Sequence, residues 1–187
     1  MKMSVEVDEK LLEEVQSRLG AFQKKAPNAI SNALNRASSN VRSNISKEIR
    51  KEYVIKAGDV KETLSKGKAR RGDLSTEVRS QGSVIPLNRF KVSPKTVNPT
   101  RKKPIKIGVK KGSTKEVRGA FVADINGPKV FSRHGKSRLP ISRLFGPSVP
   151  QMLDNEEIRQ EINDQGVETF YERLDHEIFR LYEKGRG

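Results

Sequence analysis

Apolar residues recur along this chain in two rhythms, one of three to four residues and one of two. Leu11, Leu12, Val15, Leu19 and Phe22 share a face at helical spacing, and Asp8 stands where a carboxylate accepts from the first free amides. This predicts a helix from Asp8 to about Lys24, weakened near its end by Gly20. Pro27 suits the first turn of a second helix. There Ile30, Leu34, Ala37, Val41, Ile45 and Ile49 form the cleanest stripe in the sequence. Arg36, Arg42, Lys47, Arg50 and Lys51 lie off that stripe, and the helix is expected to end near Tyr53. A short third helix is predicted over 57–65, with Asp59 in its first turn opposing the dipole favourably.

The rhythm changes after the basic, glycine-punctuated loop at 66–72. Leu74, Thr76 and Val78 alternate with Ser75, Glu77 and Arg79. Val84, Ile85 and Leu87 continue a strand interrupted by Pro86, which cannot donate to a ladder. Residues 93–103 read as an exposed hairpin tip. Ile105, Ile107 and Val109 alternate with Lys106, Gly108 and Lys110, and Gly119 to Ile125 is an apolar strand that residues 130–132 can join across Gly127. Residues 155–183 return to the helical period through Ile158, Ile162, Phe170, Leu174, Ile178 and Leu181, with Gly166 marking a break or bend. Arg173 and Glu177 sit four apart, as do Glu157 and Glu161, so charge pairing along this helix is mixed.

No helical crossover fits between the strands, so the sheet is expected to be antiparallel. The fold class is α+β: N-terminal helices, a central antiparallel sheet of four to five short strands, and a long C-terminal helix. A single domain over 1–187 is expected, with a helical part at 1–65, the sheet at 73–134, a proline-rich apolar arm at 139–153 and the last helix at 155–183. The arm, LPISRLFGPSVPQML, holds three prolines and Gly146, which oppose regular structure over most of it, yet its apolar residues must be covered somewhere.

Composition changes the picture through charge. Hydrophobic and charged residues each make up 33%, lean for a lone globular monomer and above the range of general disorder. Packing against further subunits is one way to cover the apolar surface of such a chain. The net charge of +15 is uneven: zero over 1–25, +7 over 26–72, +13 over 73–150 and −5 over 151–187. A basic middle attracts polyanions, nucleic acid first. The acidic tail can pair with the basic region of the same chain or of a neighbour. Cysteine is absent, which removes disulfides and thiolate chemistry. The first nine residues carry no apolar run and no stretch reaches membrane-spanning length, so neither a signal peptide nor a membrane partner is expected.

Catalytic motifs fail on inspection. Gly135-Lys136-Ser137 resembles the end of a phosphate-binding loop, but Val130 stands where the loop needs glycine. Gly146-Pro147-Ser148-Val149-Pro150 resembles a nucleophile elbow, with Pro150 where glycine is required. His134 has no adjacent carboxylate, and His176 sits between Asp175 and Glu177 on a charged helix. The adjacent pairs Glu13/Glu14 and Glu156/Glu157 point in different directions and read as solvated faces. In the basic stretch 73–150 the only acids are Asp73, Glu77, Glu116 and Asp124, no nuclease cluster. Aromatics reach only 5%, so any nucleic-acid contact is expected at phosphates and blind to sequence. No enzyme activity and no cofactor are expected.

Three blocks carry a family resemblance. The run Leu139–Leu153 resembles the signature near the end of prophage minor tail protein Z sequences. ALNRASSNVRSNISKEIRKEYVIKAGDVKETL, Ala33–Leu64, is similar to that family's N-terminal block, and IPLNRF (Ile85–Phe90) with GAFVADI (Gly119–Ile125) is similar to its strand pair. The match covers most of residues 30–153. It implies a structural protein that completes the head-proximal end of a long phage tail and is needed for infectious particles. Relatives among head–tail joining proteins form rings, commonly sixfold, around the DNA passage. The implied partners are other copies of this chain, tail and neck proteins, and phage DNA. The implied location is the virion tail, after assembly in the host bacterial cytoplasm.

Within that expectation, Leu139, Pro140, Leu144, Phe145, Gly146, Pro147, Val149 and Pro150 are the subunit-interface candidates, with prolines limiting the entropy lost on docking. The opposing reading is a loop buried within the subunit. Arg36, Arg42, Arg70, Arg71, Arg101, Lys102, Lys103, Lys106, Lys110 and Lys111 are candidates for lining the DNA passage or gripping phosphates; the opposing reading is that they face an acidic neighbouring protein. The alternative function is a free, sequence-nonspecific nucleic-acid-binding protein.

Overall fold

The structure, a computed structural model, describes residues 2–135 and 137–185. Lys136 of the Gly-Lys-Ser fragment lies outside the described residues. In chain order the elements are β1 (Lys2–Glu6), α1 (Glu9–Leu19), a 3-10 turn (Gly20–Lys25), α2 (Ala26–Glu52), α3 (Ala57–Lys61), β2 (Leu64–Lys66), β3 (Ser75–Ser80), β4 (Ile85–Pro86), a second 3-10 turn (Leu87–Arg89), β5 (Lys91–Ser93), β6 (Ile105–Gly108), β7 (Lys115–Val117), β8 (Ala120–Asp124), β9 (Pro128–Arg133), β10 (Ile141–Arg143), β11 (Phe145–Gly146), α4 (Val149–Met152) and α5 (Glu156–Gly185). The chain divides into two compact units: unit 1 is Met1–Ser46, Leu64–Gln81 and Asp154–Gly187, and unit 2 is Lys47–Thr63 and Gly82–Leu153.

Unit 1 is built on helix packing. The Asp8 side chain accepts from the Leu11 amide and starts α1. Gly20 ends it with a left-handed φ of 50°, a geometry that glycine adopts without steric cost, so the helix stops at Leu19 and not near Lys24. Ala26, Ala29, Ala33 and Ala37 put a row of small side chains on α2, and Ile30 and Leu34 fill beside them. Phe170, Leu174 and Ile178 of α5 complete the same core with Val15 and Leu19 of α1. Gly166 belongs to this contact and breaks nothing: α5 runs unbroken through it, and a Cβ there would stand 2.7 Å from Val41 Cγ2. Glycine leaves the space that the Val41 side chain of α2 fills. The Asn32 amide donates to Glu177 at 3.1 Å, and Glu177 also pairs with Arg180.

The unit 1 sheet has the order β1-β3-β2, all antiparallel. β3 shows the expected alternation, with Thr76 and Val78 buried and Arg79 exposed. β1 was not anticipated, although Met3, Val5 and Val7 alternate with Lys2, Ser4 and Glu6. Leu64 enters β2 opposite Ser80, which ends the third helix at Lys61 and not near residue 65. Glu77 lies across β1: Lys2 Nζ is 3.0 Å from its carboxylate and Arg79 Nε is 2.6 Å away. Hydrogen bonding from Lys2 and then Arg79 holds the Glu77 carboxyl below its ordinary value.

Unit 2 holds three further antiparallel sheets, so the strands are divided among four small sheets in place of one central one. β5 and β6 form the expected hairpin, joined by the tip at 94–104, and β7 adds to β6. β8 and β9 pair across Asn126 and Gly127, both left-handed at φ 53° and 92°. The end of α2 is tied to this unit where the Val54 amide donates to Val109 O and the Lys111 amide to Glu52 O, at 2.8 and 2.7 Å. The arm is more regular than its prolines suggest. β10 pairs with β9, β11 pairs with β4, and Pro150 sits in the first turn of α4, where its missing N–H costs nothing.

Two outcomes test this description. In a double-mutant cycle, Gly166→Ala is expected to stabilise a Val41→Ala background by about 1 kcal/mol, the helix-propensity gain. In the native background denaturant unfolding should show it distinctly less favourable, and additive behaviour would refute the close approach. Because the folded Glu77 pKa is depressed, its contribution is full above the unfolded value and is lost as pH falls through the folded one. The melting-temperature gap between wild type and Glu77→Gln should therefore be present at neutral pH and close as pH drops below about 4.3, the ordinary glutamate range.

Candidate interaction surfaces

The two units differ sharply in charge. Unit 1 contains 17 basic and 17 acidic residues, net zero, while unit 2 contains 21 basic and 6 acidic residues and so carries the entire +15. Four of those six acids are already engaged: Glu48 with Lys51 at 2.6 Å, Glu116 with Lys106 at 3.5 Å, Glu52 near Lys110 at 3.9 Å, and Asp59 with Arg89. The excess positive charge therefore cannot be neutralised inside unit 2.

The ten basic candidates fall into both units. Arg36 is exposed and Arg42 half-buried on α2, and Arg70 and Arg71 are exposed in the turn between β2 and β3, all in unit 1. The other six surround β6 in unit 2. Arg101 is exposed but structural, donating to Lys103 O and Pro104 O at 2.8 and 3.0 Å, which closes the hairpin tip. Lys102 and Lys103 are exposed beside it. Lys106 projects from β6, Lys110 lies 5.4 Å over the Tyr53 ring, and Lys111 is exposed next to it. The exposed cations Lys91, Lys115, Arg133 and Arg138 of unit 2 were not singled out from sequence. Strand alternation was the available signal for Lys91, the neighbour of buried Val92 on β5.

The apolar arm splits into a buried end and an exposed end. Val149 and Met152 are fully buried and Leu153 is 1% exposed. Leu144 is half-buried, and its backbone joins Val130 O and the Leu87 amide at 2.9 and 3.1 Å. Gly146 crosses the Phe90 ring, where a Cβ would meet Cε2 at 2.7 Å. Pro147 and Pro150 are half-buried. Leu139 is 68% and Phe145 46% exposed, Pro140 is exposed, and Arg143 stacks 5.4 Å from the Phe145 ring.

Unit 1 presents an open groove of about 630 Å³ between β1, β3, α2 and α5. Its lining includes Leu34, Ala37, Val41, Phe170 and three residues that reach solvent, Val5, Val167 and Tyr171. On the outer face of α5, Glu157, Glu161, Asp164, Glu168, Glu172 and Asp175 are all exposed at steps of three or four residues. Asp175 pairs with Arg18; the other five have no ion-pair partner among the described residues.

Polar groups that imitate catalytic residues are committed elsewhere or stand alone. Ser148 is buried and caps α4: its hydroxyl accepts from the Gln151 amide, and Gln151 Oε1 accepts from the Ser148 amide at 2.8 Å. His134 Nε2 lies 2.5 Å from Ser142 Oγ, both at the surface end of the β9–β10 pair, and among the described residues no carboxylate is hydrogen-bonded to that ring. His176 is exposed on α5. Among the described residues no cluster of His, Asp and Glu could hold a metal, and no helix is long and apolar enough to cross a membrane.

No curated protein matches the chain. No solved structure matches it either. The family model of Prophage minor tail protein Z (GPZ) does match, over residues 10–182, a range that includes the basic candidates and the arm, and the chain belongs to that family.

Proposed function

We propose that this minor tail protein completes the head-proximal end of the tail as a subunit of a homo-oligomeric ring around the DNA passage, sixfold symmetry being expected. It acts there as a structural component and not as an enzyme. The observation that carries this reading is the confinement of the whole +15 to unit 2, in a chain whose family places it in a phage tail. A ring through which DNA moves needs a cationic surface for phosphates and a separate surface for subunit contacts. Lys102, Lys103 and Lys111 serve the first role, exposed and with no acid paired to them among the described residues. Phosphate contact by lysine points is blind to sequence, as passage of a whole genome requires. Leu139 and Phe145 serve the second role, since they are the exposed apolar members of the arm, whereas Val149 is held in the interior.

The same charge also favours a second reading, a free nucleic-acid-binding protein of no sequence preference. The two separate on where the protein is found. Deleting the chain from an inducible prophage should yield particles that are not infectious, with complementation by the wild-type chain restoring them. Leu139→Ser with Phe145→Ser should fold normally by circular dichroism and be poorly recovered in particles. Intact, infectious virions lacking this polypeptide would end the tail-completion reading. Duplex DNA affinity should fall steeply with salt, by a log–log slope of about −0.9 per phosphate contacted. No binding at low salt would remove the phosphate contact alone.

A further inference from the structure

We infer that the acidic face of α5 and the groove beside it receive the arm of unit 2 from a second copy of this chain. The inference rests on the ring reading and supplies its receiving surface. Three features of α5 point outward. Glu157, Glu161, Asp164, Glu168 and Glu172 repeat at like-charge spacings that weaken an isolated helix, and no cation in the described residues relieves them. Asp164 and Glu168 stand one turn before Val167 and Tyr171, which with Val5 form the exposed rim of an open, largely apolar groove at 45%, 51% and 44%. Negative charge here repels DNA, so the occupant is a cationic protein surface that also carries apolar side chains.

Unit 2 of the same chain has that composition. Leu139 and Phe145 are its exposed apolar residues on the arm, flanked by Arg138 and Arg143, and unit 2 as a whole is +15. Apolar contacts at the rim would anchor the arm, and the acids would select and orient it. The donor and acceptor surfaces differ, so each added copy leaves one of each open. Such a contact propagates until it closes into a ring or extends as a filament.

Sedimentation velocity on the purified full-length chain tests this. The wild type should form concentration-dependent oligomers at low salt that dissociate as salt rises. Asp164→Lys with Glu168→Lys and Glu172→Lys should weaken association about tenfold or more, with helix content unchanged by circular dichroism. Leu139→Ser with Phe145→Ser should weaken it similarly. Mixing the two variants leaves one intact donor and one intact acceptor, so the mixture should give one-to-one heterodimers and nothing larger. A wild type that is monomeric at every concentration overturns the inference and leaves the groove to another tail protein. Association that both variant sets leave untouched overturns this surface assignment while the ring reading stands. A chain absent from virions removes the ring reading and this one with it.

Discussion

The buried cluster that α2 shares with α5 is the contact on which unit 1 depends. Here the alanine row of α2 shares one buried cluster with Phe170, Leu174 and Ile178 of α5, and Gly166 leaves room for the Val41 side chain. Small residues lose little side-chain entropy on burial, and dispersion gains accumulate over every turn of a close interface. α1 and the sheet then close the sides: Val15, Leu19, Val7 and Leu74 pack on the same cluster. Because the inner face of α5 is spent on this contact, its outer face is free to carry charge.

Charge and apolar surface are distributed so that each unit has a different external chemistry. Unit 1 is neutral in sum but not in arrangement, since its acids gather along one side of α5. Unit 2 is cationic throughout, and the few acids it contains are mostly consumed by neighbouring lysines and arginines. A tail protein associates with other tail components, and surfaces of opposite character on one polypeptide are a direct way to make such contacts directional.

Much of this architecture is legible in the sequence, for identifiable reasons. The three long helices and the β5–β6 and β8–β9 hairpins follow from periodicity and turn chemistry, which are local properties. Gly166 is the instructive miss: its propensity suggests a break, and only the neighbouring Val41, 125 positions away in sequence, explains it. The division of the strands among four sheets is equally invisible, because alternation reports a strand without naming its partner. For the surfaces, residue type singles out the cations and the apolar arm as candidates. It could not say that Arg101 closes a turn, that Val149 faces inward, or that Val167 and Tyr171 of the last helix rim a groove.

The arm illustrates how anchoring and display can be divided within fifteen residues. Val149, Met152 and Leu153 are rooted in unit 2 by a capped turn, while Leu139 and Phe145 stand in solvent a few positions earlier. Because the capping box satisfies the turn locally, the root does not rely on what the outer residues touch. Selection on the outer positions is therefore released from the demands of folding, and the sequence there can follow whatever surrounds it.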